Sequence, residues 1–103
     1  MSYDFIIKAP DDTHERYERN VTYNNSSILK RVGFHPSVLN GINVYRLIPV
    51  VNNCIVLMED NLEYFKQFDP DNGWGGYDDV LNFFHEMRNY MVDAPDAYVL
   101  KVV

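Results

Sequence analysis

The stretch "YDDVLNFFHEMRNYM", residues 77 to 91, carries the strongest helical pattern of this chain. Its apolar residues recur at steps of three and four, which places them along one face of an α-helix. They are Tyr77, Val80, Leu81, Phe84, Met87 and Met91. Asp78 and Asp79 lie in the first turn, where the helix dipole favours negative charge. We therefore expect this helix to organise the hydrophobic core.

Short strands are predicted at both ends of the chain. "SYDFIIK", from Ser2, alternates between two faces with the period of a half-buried strand, and "YVLKVV" at the end is rich in β-branched residues. Tyr17, Val21 and Tyr23 recur at odd positions, which predicts a second strand hairpinned to the first. We expect residues 3–8 and 97–102 to pair, because short strands with apolar faces have few other edges to join.

Three further helical segments are predicted between these strands. A short helix follows the asparagines near residue 25 and ends at Gly33, and a longer one runs from Leu47 to Met58 with Pro49 in its first turn. Asp60 and Glu63 resemble a capping box, so the helix is expected to break and restart there. "FHPSVLNGIN" is predicted to be a loop.

These elements predict an α+β fold in a single domain, residues 1–103. The expected architecture is a small antiparallel or mixed sheet, made of the terminal strands plus one further strand and covered by three to four helices. No stretch reaches the roughly 20 apolar residues of a membrane span, and the chain start lacks the pattern of a signal peptide. The lone Cys54 cannot form an internal disulfide. We therefore expect a soluble, cytoplasmic protein.

Negative charge is concentrated in the C-terminal half. Residues 59–96 hold ten acidic residues against Lys66 and Arg88, a net charge of −8, whereas the rest of the chain sums to +2. This distribution disfavours nucleic-acid binding, which needs basic side chains to replace phosphate counterions. It leaves open a basic protein partner, or acidity that serves only solubility.

Motifs for metal, cofactor or catalytic chemistry fail on inspection. "DPDNG" lacks the residues that an EF-hand needs at its fifth, sixth and twelfth positions, and "HEMRN" has Asn89 where a zinc protease has its second histidine. There is no nucleophile elbow and no phosphate-binding glycine loop. We predict no catalytic residue, no metal and no cofactor. An enzyme of unrecognised type and a homodimer stay open.

Two polar segments are the candidates for ligand binding. We call residues 20–27, "NVTYNNSS", the amide segment and residues 69–76, "DPDNGWGG", the Trp loop. Amides offer donors and acceptors, and a tryptophan between glycines offers a stacking face. The candidate ligand-binding residues are Asn20, Thr22, Tyr23, Asn72, Trp74 and Tyr77. Within the amide segment we interpret Asn24 to Ser27 mainly as helix caps and Asn20, Thr22 and Tyr23 as the better ligand candidates. The alternative for the Trp loop is that Trp74 joins the core.

The order of "SYDFIIKAP", "NVTYNN", "NGWGGYDDVLNFF" and "PDAYVLKVV" resembles a family of small, mostly uncharacterised proteins of bacteria and their phages. That family has an N-[VI]-T-Y-N segment early and an N-G-W-G-x-Y segment before its last helix. The matching positions are Asn20, Thr22, Tyr23, Asn24, Asn72, Gly73, Trp74, Gly75 and Tyr77. The resemblance covers most of the chain but departs at "VNNCIVLMEDN", and it implies association with a phage or prophage.

Two functional hypotheses follow. In the first, the protein is a non-enzymatic phage or bacterial accessory protein that holds a small polar or nucleotide-like ligand between the two polar segments. In the second, it is an acidic interaction module or inhibitor that blocks a basic surface of a host protein through residues 59–96.

Overall fold

The computed structural model describes residues 1–103 and has an α+β fold. Three strands form one sheet: β1 (Ser2–Lys8), β2 (Glu15–Thr22) and β3 (Val99–Val102). A single 3-10 turn, Tyr23–Asn25, connects β2 to the first helix. The helices are α1 (Ser26–Val32), α2 (Pro36–Leu39), α3 (Val44–Asp60), α4 (Leu62–Lys66) and α5 (Tyr77–Val92).

The sheet is antiparallel throughout, with strand order β2-β1-β3. Phe5 lies opposite Val102 and Ile7 opposite Leu100, so the predicted pairing of the terminal strands is confirmed. The outer edge of β3 is closed by the segment before α3, where the Gly41 amide donates to the Leu100 carbonyl at 2.8 Å. The sheet therefore has one closed edge and one open edge, at β2.

The helices cover one face of the sheet. Phe5, Ile7 and Leu100 are fully buried in that interface, and Val21 is nearly so. Asn20 lies on the opposite, uncovered face, where it pairs across the strands with Asp4. The two-residue period of these strands thus separates a dry face from a wet one, as the sequence predicts.

Helix α5 organises the core as expected. Val80, Phe84 and Met87 are fully buried, and α5 packs against both α3 and β2. Phe83, which the predicted stripe omitted, is also fully buried because it faces the sheet, with its ring 4.8 Å from that of Phe5. An amphipathic helix that packs between two neighbours needs a wider apolar stripe than one that packs on a single surface.

Three local predictions differ from the structure. Pro49 lies inside α3 rather than in its first turn, because the helix begins at Val44. The predicted loop contains the short helix α2, which begins with Pro36 at a position where the missing proline amide costs nothing. The chain does break between α3 and α4, but Asn61 occupies the junction and no capping box forms.

No helix in this fold combines the length and the apolar character that crossing a membrane requires.

Candidate functional site

The amide segment and the Trp loop lie side by side around a cavity of about 1030 Å³. We call it the polar cavity. The amide segment lines it with Asn20, Thr22, Tyr23 and Asn24. The Trp loop lines it with Asn72, Gly73, Trp74 and Gly75. The first turns of α5 add Asp78, Asp79 and Asn82, and the remaining lining residues are Met1 and Ser2. Five of the six predicted ligand-binding residues therefore lie around one cavity.

Asn25 joins the two segments and is fully buried. Its Oδ1 accepts a hydrogen bond from the Gly76 amide at 2.6 Å, and its Nδ2 donates to Asp79 Oδ2 at 2.7 Å. One side chain thus forms hydrogen bonds with both the last residue of the Trp loop and the first turn of α5. Sequence reasoning missed this residue, because an asparagine before a helix is typical of a cap.

The predicted caps are redistributed in the structure. Thr22 Oγ1 accepts from the Asn24 amide at 3.3 Å and so caps the 3-10 turn. Asn25 occupies the N-cap position of α1 but makes no capping bond, since its amide is directed to the Trp loop. The prediction that Asn24 to Ser27 serve mainly as caps is therefore wrong.

Asp79 is bound from the core side of the cavity. Arg19 of β2 places Nη2 2.8 Å from Asp79 Oδ1 and donates from Nη1 to the Asp79 carbonyl at 3.4 Å. The guanidinium also lies 5.7 Å from the centre of the Phe83 ring. With Asn25 on its other oxygen, the Asp79 carboxylate has a partner on each oxygen and holds the floor of the cavity in place.

Gly75 allows the Trp loop to approach the amide segment closely. Its φ of +85° belongs to the left-handed region that favours glycine. A Cβ at this position would lie 3.0 Å from Thr22 Cγ2 and nearer still to Asn25 Oδ1. Any larger residue would push the two walls of the cavity apart.

The start of α5 has its own carboxylate. The Tyr77 amide donates to Asp69 Oδ1 at 2.7 Å, while the preceding Gly76 amide is bound by Asn25. Free amide groups at a helix start attract anions. Here Asp69 already supplies the negative group, so the positive end of the helix dipole is compensated within the protein.

Trp74 and Tyr77 have opposite environments although they lie three residues apart. Trp74 is 72% exposed, and its amide donates to Asn72 Oδ1 at 3.0 Å, which fixes the turn that carries it. Tyr77 is buried, and its hydroxyl donates to the Met58 carbonyl at 2.8 Å. Burial raises the pKa of the Tyr77 phenol, with smaller contributions from the nearby carboxylates of Glu59 and Asp78. Trp74 does not join the core, and Tyr77 lies outside the cavity.

The remaining amide side chains are held to different degrees. Asn20 Nδ2 donates to Ser2 Oγ at 2.6 Å and to Asp4 Oδ1 at 2.8 Å, while Asn20 Oδ1 accepts no hydrogen bond within the protein. The Tyr23 ring packs on that of Tyr3, with 4.5 Å between centroids, and is partly exposed. These contacts fix the wall of the cavity that the amide segment forms, which we call the amide wall, and they leave hydrogen-bonding groups facing the cavity.

Other reactive groups of the chain lie away from this site. The Cys54 thiol is buried, and that burial raises its pKa to about 11, so it behaves as a small apolar group at neutral pH. No group of three or more His, Cys, Asp or Glu side chains is arranged to hold a metal ion.

Comparison with protein-family models, with curated proteins and with solved structures gave no match to this chain.

Proposed function

We propose that this protein is a non-enzymatic accessory protein, of phage or bacterial origin and cytoplasmic, that binds a small polar ligand in the polar cavity. The observation that carries this proposal is the convergence of two polar segments on one concave surface, joined by a hydrogen bond between residues 51 apart in the sequence. The cavity opens widely to solvent, and its volume of about 1030 Å³ lies at the upper end of the range of small-molecule sites, about 300–1,000 Å³.

Trp74 supports a binding role for the cavity. Burial of a tryptophan ring stabilises a folded protein. Trp74 is 72% exposed although its turn is anchored by hydrogen bonds, so its ring contributes little to folding stability. The Asn72 and Asn25 bonds hold the turn, so the exposure does not arise from an unattached loop. In the proposed role, the indole stacks on a flat group of the ligand.

The amide wall supplies the polar contacts. Asn20, Thr22 and Asn24 line one side of the cavity and Asn72 lines the other, which gives the ligand hydrogen-bond donors and acceptors on both sides. Tyr77 has no part in the proposed contacts, because its hydroxyl is committed to Met58.

Native mass spectrometry of freshly purified protein tests this proposal. We expect wild-type protein to retain a small-molecule adduct that Trp74→Ala loses. Tyr45→Ala is the matched control, since Tyr45 is an exposed aromatic on α3 away from the cavity, and this variant should keep the adduct. Retention of the adduct by Trp74→Ala would reject the proposal. So would the absence of any adduct, if nucleosides, sugars, amino acids and polyamines also leave the Trp74 fluorescence of the wild-type protein unchanged.

The second candidate is an acidic interaction module that blocks a basic host surface. Its support is the net charge of −8 over residues 59–96, together with the exposure of Asp71 within the Trp loop and of Asp78 just after it. Electrostatic steering predicts that charge reversal at these two residues slows association with such a partner and that added salt weakens it. Salt-independent association would count against this candidate.

A further inference from the structure

The polar cavity carries negative charge and no basic side chain. Asp78 and Asp79 both line it, and none of its other lining residues is Lys, Arg or His. Arg19 compensates Asp79 from the core side. Asp78 lines the cavity, is exposed and forms no ion pair with a basic side chain.

An anion at this helix start would have a competitor within the protein. The Gly76 amide, just before α5, is bound by Asn25, and the Tyr77 amide, the first of the helix, is bound by the Asp69 carboxylate. A phosphate would therefore meet the negative charges of Asp69 and Asp78 at this end of the helix. This arrangement disfavours the nucleotide-like form of the ligand.

The aromatic group favours a cation. Tryptophan is the best aromatic partner for an ammonium or guanidinium group, and Trp74 presents its indole at the same cavity as Asp78. A guanidinium is planar, stacks on aromatic faces and donates five hydrogen bonds without accepting any. The acceptors that it needs are available from Asp78 and from Asn20 Oδ1, whose amide nitrogen is already bound to Ser2 and Asp4.

We infer that the group recognised in the polar cavity is a guanidinium or ammonium cation, stacked on Trp74 and paired with Asp78. This inference rests on the proposed function and names the chemistry of its ligand. The same cation could come from a small molecule or from an arginine side chain of a polypeptide, and the experiment separates these two sources.

Trp74 fluorescence provides the test, because this residue is the only tryptophan. The probes are N-acetyl-L-argininamide, its neutral isostere N-acetyl-L-citrullinamide, and adenosine monophosphate, at low ionic strength. We expect the arginine probe to bind about fivefold more tightly than the citrulline probe, as one cation–aromatic contact and one exposed ion pair together allow. Raising the salt concentration should reduce that preference.

Three variants locate the effect. Asp78→Asn should remove most of the preference for the arginine probe, whereas Asp96→Asn, which removes an exposed carboxylate outside the cavity, should leave it unchanged. Asn82→Asp should strengthen it, because residue 82 lies one helical turn after Asp78 and also lines the cavity. This gain-of-binding variant keeps the test decisive if Asp78→Asn weakens the fold.

The source of the cation is read from a peptide of one arginine flanked by glycines. Binding about tenfold tighter than that of the isolated probe assigns the cation to a polypeptide, since added affinity must come from backbone contacts; equal binding assigns it to a small molecule. Any of three results would overturn the inference. The citrulline probe or adenosine monophosphate could bind as tightly as the arginine probe or more tightly; Asp78→Asn could keep the full preference for the arginine probe; or no probe could change the Trp74 fluorescence. A retained neutral or anionic adduct in native mass spectrometry would then leave the proposed function standing.

Discussion

The amide segment and the Trp loop are both polar, yet they are held in place by different means. The amide segment belongs to regular elements, from the end of β2 to the start of α1, and the buried Val21 and Ile28 anchor it on the core. The Trp loop contains no helix or strand, and three of its residues are glycines with positive φ. It is fixed mainly by backbone amides that donate hydrogen bonds to the side-chain oxygens of Asn25, Asp69 and Asn72.

The two walls of the polar cavity, one formed by the amide segment and one by the Trp loop, should therefore differ in stability. The amide wall depends on core packing, which many contacts share. The wall that the Trp loop forms depends on a few hydrogen bonds, so single substitutions should displace this loop without unfolding the protein. Substitutions at neighbouring residues can separate these two cases.

The largest expected difference is between Tyr77 and Trp74. Tyr77→Ala removes a buried ring that packs in the core, and we expect it to lower the free energy of unfolding by about 3–5 kcal/mol. Trp74→Ala removes an exposed ring and should change it by less than about 0.5 kcal/mol. Urea denaturation followed by circular dichroism measures both.

Tyr77→Phe serves where the alanine variant is too unstable to measure. It should cost about 1 kcal/mol, because only the hydrogen bond to the Met58 carbonyl is lost. A large loss of stability in Trp74→Ala would show that the Trp74 ring contributes to the core.

An intermediate effect is expected at Asn25. Asn25→Ala leaves the Gly76 amide and one oxygen of Asp79 without their partner in a buried place, and we expect a loss of about 2–4 kcal/mol. Asn24→Ala is the matched control, because Asn24 is exposed and its side chain caps no helix; its expected cost is below about 0.5 kcal/mol. Equal costs in the two denaturation experiments would mean that the segments are not joined through Asn25.

The smallest effect is expected at the glycines of the Trp loop. In Gly73→Ala the new Cβ contacts no neighbouring atom, so we expect only the cost of placing alanine at a positive φ, a loss of about 1 kcal/mol in the free energy of unfolding. Gly75→Ala pays the same penalty and also collides with Thr22 and Asn25, so we expect a total of about 2–3 kcal/mol.

Amide hydrogen exchange supplies a second measurement for this pair. Exchange at Gly76 should accelerate in Gly75→Ala, because the new methyl group displaces Asn25 from its hydrogen bond, and should stay slow in Gly73→Ala. Identical exchange in both variants would contradict the close approach at Gly75.

Much of the fold was predictable from the sequence, because its strongest patterns are periodic. The stripe on α5 and the alternation in β1 follow from where apolar side chains must go, and the pairing of β1 with β3 followed from the shortage of other edges; its antiparallel direction is given by the structure. The start of α3 was missed because Asn43, whose side chain caps the helix by accepting from the Arg46 amide, was assigned to the preceding loop, although the buried Val44 already lies on the apolar stripe with Leu47.

The candidate site was predictable only as two separate segments. Side-chain type and glycine spacing indicated Asn20, Trp74 and their neighbours, whereas the role of Asn25 depends on atoms 51 and 54 residues away. Tyr77 was included because it matches the N-G-W-G-x-Y segment of the resembled family, but its position on the apolar stripe of α5 directs it into the core.

Short-range periodicity and composition were therefore enough to predict the class of fold, the central role of α5 and the residue types that line the polar cavity. Packing of the whole chain was needed to bring the two polar segments together, to leave Trp74 exposed while Tyr77 is buried, and to place Asn25 and Asp69 at the amides of Gly76 and Tyr77. The physical reason is that a hydrogen bond depends on distances of about 3 Å and on direction. Sequence separation does not encode either quantity, and packing of the whole chain sets both.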